Sequence, residues 1–356
     1  MDIKKHAVKV KRGIYKLLGI RVHPLIIQIE LAGKCTANCS FCDWTRRQKN
    51  QQIFMDTSFA KKAVKEAREM KADLITFHVT GESLDHPDLF EIMPTDYPVG
   101  LSTNCLSLTG ERAVKLSEME NMNLTLAILW DESDIKREMS ICNATNFLEM
   151  NPKCKTINIQ MVCSARSIPY TDFMHDHFRK YVYKIPGASL FYKQGYTQEP
   201  ENPIITYIPT NINCEPGVVV DTMPTPQSCG GDCLAIAPNP MTSILIQVDG
   251  QIKPCFVRPE DPLKKGMFPS EFDNGWNTGN ITSMTLQEYW NSNKLKYIRK
   301  IWATGDPEGK LPCYNCIRMI SPIEGMWRNT TGIVPTELDE HQAKKGDPSD
   351  PYAKPK

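Results

Sequence analysis

Cys35, Cys39 and Cys42 fall within eight residues, in the string Lys34-Cys35-Thr36-Ala37-Asn38-Cys39-Ser40-Phe41-Cys42 that follows a hydrophobic run. Three thiols at this spacing can converge on one small soft metal centre, but they cannot close a four-thiolate cage by themselves. A cluster held by three cysteines leaves one iron open to an exogenous ligand, and an open position separates a reactive metal centre from a structural one. On spacing alone, a zinc site lacking its fourth ligand fits as well. A second group spans Cys229, Cys233, Cys255, Cys313 and Cys316, the last pair as Cys-x2-Cys. Four thiolates can enclose an iron–sulfur cluster or a structural zinc. Cys229 stands four residues before Cys233 and is an alternative ligand to it.

The elements that must position these thiols are legible from hydrophobic periodicity. Residues 25–32 read as a strand, 57–70 as a helix opened by Asp56 or Thr57, and 74–79 as a second strand followed by a short helix at 87–92. Strands at 99–103, 124–130, 156–163 and 188–192 follow, with helices at 111–119, within 133–150 and at 172–183 between them. Strands alternating with helices imply a parallel sheet with crossover connections, as an open sheet or a partial barrel. In such sheets chemistry sits at the carboxyl ends of the strands, and the three-cysteine loop leaves the first strand at that end. Residues 2–22 mix Lys and Arg with apolar residues at helical spacing, and 200–226, rich in Pro, Asn and Thr, read as a connector. The alternation around Asp249-Gly250 predicts a β-hairpin with a two-residue turn, and 283–292 predicts a helix with its own start signal. From residue 337 the chain is polar, with repeated Asp-Pro and Lys-Pro, which predicts a disordered tail. The divisions that follow are a basic lead-in (1–24), a strand–helix core (25–225), a cysteine-rich extension (226–328) and a tail (329–356).

Composition narrows the class. The 356 residues are 41% hydrophobic and 23% charged, with a formal net charge of +1. That balance gives no support for nucleic acid or a membrane surface as the main partner. No apolar run approaches the roughly 20 residues needed to span a bilayer. The basic first residues lack the apolar stretch of a signal peptide, which predicts a cytoplasmic protein. Thirteen cysteines, an odd number bunched in two regions of a long chain, read as metal binding rather than as a disulfide scaffold. Cys105, Cys142, Cys154, Cys163 and Cys214 lie between the bunches, and most of them read as small buried apolar residues.

Cys-x3-Cys-x2-Cys after a first strand resembles the signature of the radical SAM superfamily. The resemblance extends to Phe41, before the third cysteine, and to Thr80-Gly81-Glu82-Ser83-Leu84, which is similar to the family's Gly-Gly-Glu-Pro-Leu with Thr80 and Ser83 as departures. Ser102-Thr103-Asn104 is like the family's Thr-Asn-Gly, with Cys105 in place of the Gly. At the fourth strand many relatives show Ser-x-Asp, whereas this chain has Leu129-Trp130-Asp131, so that Asp131, Glu132 or Ser133 must substitute for the serine. The run from Cys233 through the hairpin and the helix to Pro312-Cys313-Tyr314-Asn315-Cys316 resembles the SPASM/twitch extension of these enzymes. No cysteine follows Cys316, so one auxiliary cluster, the twitch arrangement, is expected.

The resemblance implies a partial (βα)6 TIM-like barrel with a small β-hairpin and helix extension. It implies a [4Fe–4S] cluster on Cys35, Cys39 and Cys42 that binds S-adenosylmethionine (SAM), and one auxiliary [4Fe–4S] cluster on Cys233, Cys255, Cys313 and Cys316. Reductive cleavage of SAM would give methionine and a 5′-deoxyadenosyl radical that abstracts hydrogen from a substrate. The implied SAM-binding residues are Phe41, Gly81, Glu82, Thr103, Asn104, Asp131 and Val162. Arg137 is a candidate fork for the SAM carboxylate, and Gln160 beside Val162 is a lining position. The implied partners are a small-molecule or peptide substrate and a reducing protein such as flavodoxin or ferredoxin. Relatives that modify peptides often carry an N-terminal recognition domain, and only about 24 residues precede the first strand, too few for one. That weighs toward a small-molecule oxidation or rearrangement, although recognition by a separate protein keeps peptide modification open. Asp131, Glu132, Tyr192 and Lys193 are candidates for proton handling, none of them preferred. A non-catalytic iron–sulfur electron carrier and a zinc-stabilised binding module are the competing classes.

Overall fold

The structure is a computed structural model that describes residues 24–37, 39, 54–79, 81–130, 132–163, 170–194, 218–221, 243–254 and 279–297. Its strands are β1 (Ile26–Ile29), β2 (Leu74–Thr76), β3 (Val99–Thr103), β4 (Met122–Ile128), β5 (Thr156–Cys163), β6 (Ala188–Gln194), β7 (Val218–Asp221), β8 (Ser243–Ile246), β9 (Gln251–Lys253) and β10 (Gly279–Asn280). The helices are α1 (Thr57–Glu69), α2 (Leu89–Ile92), α3 (Gly110–Ser117), α4 (Asp134–Glu149), α5 (Thr171–Lys184) and α6 (Leu286–Asn291), with a 3-10 turn at Ser83–Asp85. The strands form one sheet in the order β10-β9-β8-β1-β2-β3-β4-β5-β6-β7, open at both ends among the described residues. From β8 through β1 to β7 every pairing is parallel, whereas β9 and β10 add antiparallel.

The register divides the sheet into two unlike faces. Ile27 and Ile29 align with Ile75, Val99, Leu101, Leu124, Ile157, Leu190, Ile244 and Ile246 on one face. This face belongs to the main core cluster together with Ala60, Ala63, Val64 and Ala67 of α1, Phe147 of α4 and Phe178 of α5. Those α1 positions follow the spacing of one helical stripe, and three of the four are alanine, which lets the helix lie close to the sheet. Asp56 begins α1, accepting hydrogen bonds from the N–H groups of Ser58 at 2.8 Å and Phe59 at 3.3 Å. Alternate residues carry the opposite face, where Gln28, Thr76, Thr125, Asn158, Gln160 and Ser189 are polar.

Two features differ from the sequence reading. The segment read as a connector contains β7, which extends the parallel run by a seventh strand. The hairpin turn is one residue longer than the alternation suggests. Gly250 N–H bonds the Gln247 carbonyl at 2.8 Å, and Gln247 N–H bonds the Gln251 carbonyl at 2.8 Å, leaving a turn of Val248, Asp249 and Gly250. Gly250 takes φ +81, a left-handed value that an L side chain rarely adopts. β8 lies parallel against β1, so this end of the chain continues the sheet. α6 then packs on α1. The Leu286 N–H donates to Glu66 Oε2 at 2.6 Å, Lys62 Nζ donates to the Ile281 carbonyl at 2.6 Å, and Leu286, Tyr289 and Trp290 are buried. Among the described residues, no helix is long and apolar enough to cross a membrane.

Candidate metal and cofactor site

The carboxyl ends of β1, β2 and β3 converge on the first cysteine loop. After β1 the chain passes Ala32, which bridges to Phe54, and reaches Cys35. Cys39 is buried, grouped with Ala37 and Leu129, with Cys35 and Leu106 packed against them. The Cys35 sulfur accepts hydrogen bonds from the Ala37 N–H at 3.4 Å and from Asn104 Nδ2 at 3.3 Å. Phe41 and Cys42 lie outside the described residues.

The end of β2 is built against the same loop. The Glu82 N–H donates to the Lys34 carbonyl at 2.8 Å. A Cβ on Gly81 would collide with the Ala32 carbonyl and lie 2.8 Å from that of Lys34, so only glycine lets the two loops touch. Glu82 Oε1 accepts the Leu84 N–H at 3.0 Å, and Oε2 accepts the Asn104 N–H at 2.7 Å. Burial raises this carboxyl to about 7, even though those two N–H donors and the Thr103 hydroxyl favour the ionised form. His86 holds the following turn. Its Nδ1 accepts the Asp88 N–H at 3.1 Å, so the proton on Nε2 is donated to the Met55 carbonyl 2.9 Å away.

At the end of β3, Thr103 Oγ1 accepts the Cys105 N–H at 3.1 Å. Cys105 takes φ +67, the conformation that the glycine of the family motif would adopt without strain. Its thiol is buried and pushed well above the ordinary range, chiefly by desolvation and then by Glu82, so it stays protonated. Cys154 is likewise buried and is pushed up to about 12 by desolvation, whereas Cys142 is exposed.

Helix α4 secures both loops with residues that no motif marks. Lys136 Nζ donates to the Thr36 carbonyl at 2.6 Å, inside the cysteine loop. The Ser140 hydroxyl donates to the Asn104 carbonyl at 2.9 Å, and Asn143 Nδ2 donates to the Cys105 carbonyl at 2.9 Å. Positions 136, 140 and 143 share one helical face, and that polar stripe was the available signal. Arg137, one residue from Lys136, has its guanidinium carbon 4.2 Å from the Tyr170 ring centre and pairs with Asp134. Tyr170 in turn stacks on Trp130 at 5.6 Å.

Gln160 is buried on the polar sheet face, and Val162 is two residues further along β5, opposite Lys193 in the register. On that face Gln28 and Thr76 stand opposite one another, and Gln28 Oε1 and Thr76 Oγ1 have no hydrogen-bond partner among the described residues. Tyr192 is fully buried, its hydroxyl 3.4 Å from His175 Nδ1. Glu132 lies 3.6 Å from Lys136 Nζ. Asp131, Cys229, Cys233, Cys255, Cys313 and Cys316 lie outside the described residues.

Residues 233–317 match the family model of SPASM, the iron–sulfur cluster-binding domain. Comparison with curated proteins gives no match. Among solved structures, SuiB of Streptococcus suis bound to S-adenosylmethionine aligns at 15% identity with a TM-score of 0.57, covering 90% of this chain and 81% of that one. SuiB bound to precursor peptide SuiA aligns at 15% identity with a TM-score of 0.54, covering 82% and 69%. Native anSMEcpe with bound AdoMet aligns at 15% identity with a TM-score of 0.50, covering 77% and 82%. At these identities the likeness speaks for the fold, an open α/β sheet of the partial-barrel kind. The chain shares the fold of these AdoMet-bound proteins, and over residues 233–317 it matches the SPASM iron–sulfur cluster-binding domain.

Proposed function

We propose that the chain is a radical SAM enzyme of the cytoplasm. Cys35, Cys39 and Cys42 would hold the first [4Fe–4S] cluster, and Phe41, Gly81, Glu82, Thr103, Asn104, Asp131, Arg137 and Val162 would receive SAM. Cys233, Cys255, Cys313 and Cys316 would hold one auxiliary [4Fe–4S] cluster, with Cys229 as the alternative to Cys233. When bound, cluster and SAM together would supply a 5′-deoxyadenosyl radical, formed with one electron from a flavodoxin- or ferredoxin-type donor, that abstracts hydrogen from the substrate.

The observation that carries this reading is the seating of Gly81 and Glu82 on the backbone of the cysteine loop, with the Glu82 carboxyl buried and bonded to Asn104, whose side chain reaches the Cys35 sulfur. A buried carboxyl with two N–H donors suits a ligand ammonium group, which would complete its charge balance. The chain's own residues then act as a frame. Gly81 permits the close approach, Glu82 accepts the ammonium, and Lys136 holds the loop carbonyl of Thr36 in place. An electron carrier would have no use for such an acid beside its cluster.

The substrate is a small molecule or a peptide. A polar substrate is supported by the hydrogen-bonding sheet face and by Gln28 Oε1 and Thr76 Oγ1 upon it, which have no partner among the described residues. A peptide is supported by the fold likeness to SuiB, whose structure was solved with a precursor peptide. Metal analysis of anaerobically purified and reconstituted protein tests the class: about eight irons per chain are expected, as two four-iron clusters. Colourless protein holding only zinc would overturn the reading in favour of a zinc-stabilised module.

A further inference from the structure

Cys35 is a thiol with two donors aimed at its sulfur. One, the Ala37 N–H, is local. The other, Asn104 Nδ2, comes from the end of β3, and every other polar group of Asn104 is committed elsewhere. Its N–H bonds Glu82 Oε2 at 2.7 Å, its carbonyl accepts the Ser140 hydroxyl at 2.9 Å, and its Oδ1 accepts the Leu106 N–H at 2.9 Å. The last contact fixes the amide. A backbone N–H can only donate, so the side-chain oxygen must face Leu106 and the NH2 must face the sulfur, 3.3 Å away. Asn104 is 7% exposed, so water does not compete for the bond.

We propose that Asn104 is a positioning residue for the first cluster, raising its reduction potential through an N–H···Sγ bond to Cys35. This inference rests on the function proposed above. A donor to a cysteine sulfur withdraws charge from it and favours the more negative, reduced cluster. The same residue gives its main-chain N–H to Glu82. One asparagine therefore ties the acid that would receive the SAM ammonium to the sulfur that would hold the iron. The family motif directs Asn104 toward SAM, whereas its side-chain amide here serves a metal ligand.

Redox titration of the anaerobically reconstituted full chain, followed by electron paramagnetic resonance (EPR), tests this. The signal that responds to added SAM identifies the first cluster, and the auxiliary cluster serves as the internal reference. Asn104→Leu removes the donor without adding charge. Asn104→Asp keeps an acceptor for the Leu106 N–H while losing the amide donor. In both variants the SAM-responsive cluster is expected at a more negative potential, with the auxiliary cluster unmoved. An unshifted potential in Asn104→Leu overturns the proposal, whatever the charged variant does. Should the variants fail to take up iron, the wild-type chain decides. With 15N-asparagine labelling, pulsed EPR of the reduced first cluster is expected to show a coupled asparagine nitrogen, and its absence overturns the proposal. A wild-type chain with no SAM-responsive cluster would instead overturn the functional reading beneath it.

Discussion

Glu82 is a carboxyl group buried in the protein, and the pH dependence of the ligand-free protein follows. The ordinary glutamate value of 4.5 rises here to about 7 because burial penalises the charge. The folded chain therefore holds this proton more tightly than the unfolded chain does. Its stabilising effect is complete below the ordinary value and is lost as pH rises through about 7. Relative to Glu82→Gln, ligand-free wild type is expected to lose about 3 kcal/mol across that window in urea titrations at a series of pH values. Parallel curves for the two proteins would contradict it. Gly81 gives a second expectation at this scale. Gly81→Ala forces a Cβ into the Ala32 and Lys34 carbonyls, so the cysteine loop must move. After reconstitution the variant is expected to lose about half its iron, as one of two four-iron clusters, with unchanged far-UV circular dichroism. A full iron complement would contradict the close fit. Gly81, Glu82 and Asn104 were legible because they sit in a motif. Lys136, Ser140 and Asn143 left only a polar stripe on α4 to mark them, because their partners are backbone carbonyls distant in sequence, and a carbonyl leaves no mark on the residue types around it.

The elements followed hydrophobic pattern where the pattern was local. α1 lies where its alanine stripe and the Asp56 cap put it, and the Thr285–Glu288 capping box starts α6 within the run read as a helix. Asp56→Ala should cost about 1 kcal/mol in a urea melt by leaving the Ser58 and Phe59 N–H groups uncapped. β7 was missed because four residues inside a Pro-rich run carry too little pattern to separate a strand from a loop. The pairing of β8 with β1 was illegible for another reason. Parallel neighbours more than 200 residues apart share only a register, and Ile244 opposite Ile27 is no more apolar than a dozen other candidates. At this end of the chain Glu66 accepts the Leu286 N–H, beside the Lys62 bond to the Ile281 carbonyl. Glu66→Ala leaves that N–H buried and unmade, a loss of about 1–3 kcal/mol. Hydrogen exchange should then rise across 279–297 while β3 to β5 stay protected, and equal protection throughout would contradict the anchoring role.

At the scale of the molecule, one sheet joins the cysteine loop after β1 to the hairpin of the SPASM segment, because β8 pairs with β1 directly. The loop of Cys35 and Cys39 leaves β1, and the segment 233–317 supplies the strand beside it. The polar sheet face was illegible for a physical reason: it is assembled from single residues of many strands, and no contiguous stretch records its shape. The central question is whether the loop of Cys35, Cys39 and Cys42 supports reductive cleavage of SAM. The most direct measurement is formation of 5′-deoxyadenosine by the anaerobic, reconstituted chain with a strong reductant, compared across wild type, Cys39→Ala and Cys313→Ala. Product is expected from wild type and from Cys313→Ala, with none from Cys39→Ala. Undiminished 5′-deoxyadenosine from Cys39→Ala, or none from an iron-loaded wild type, would contradict that expectation.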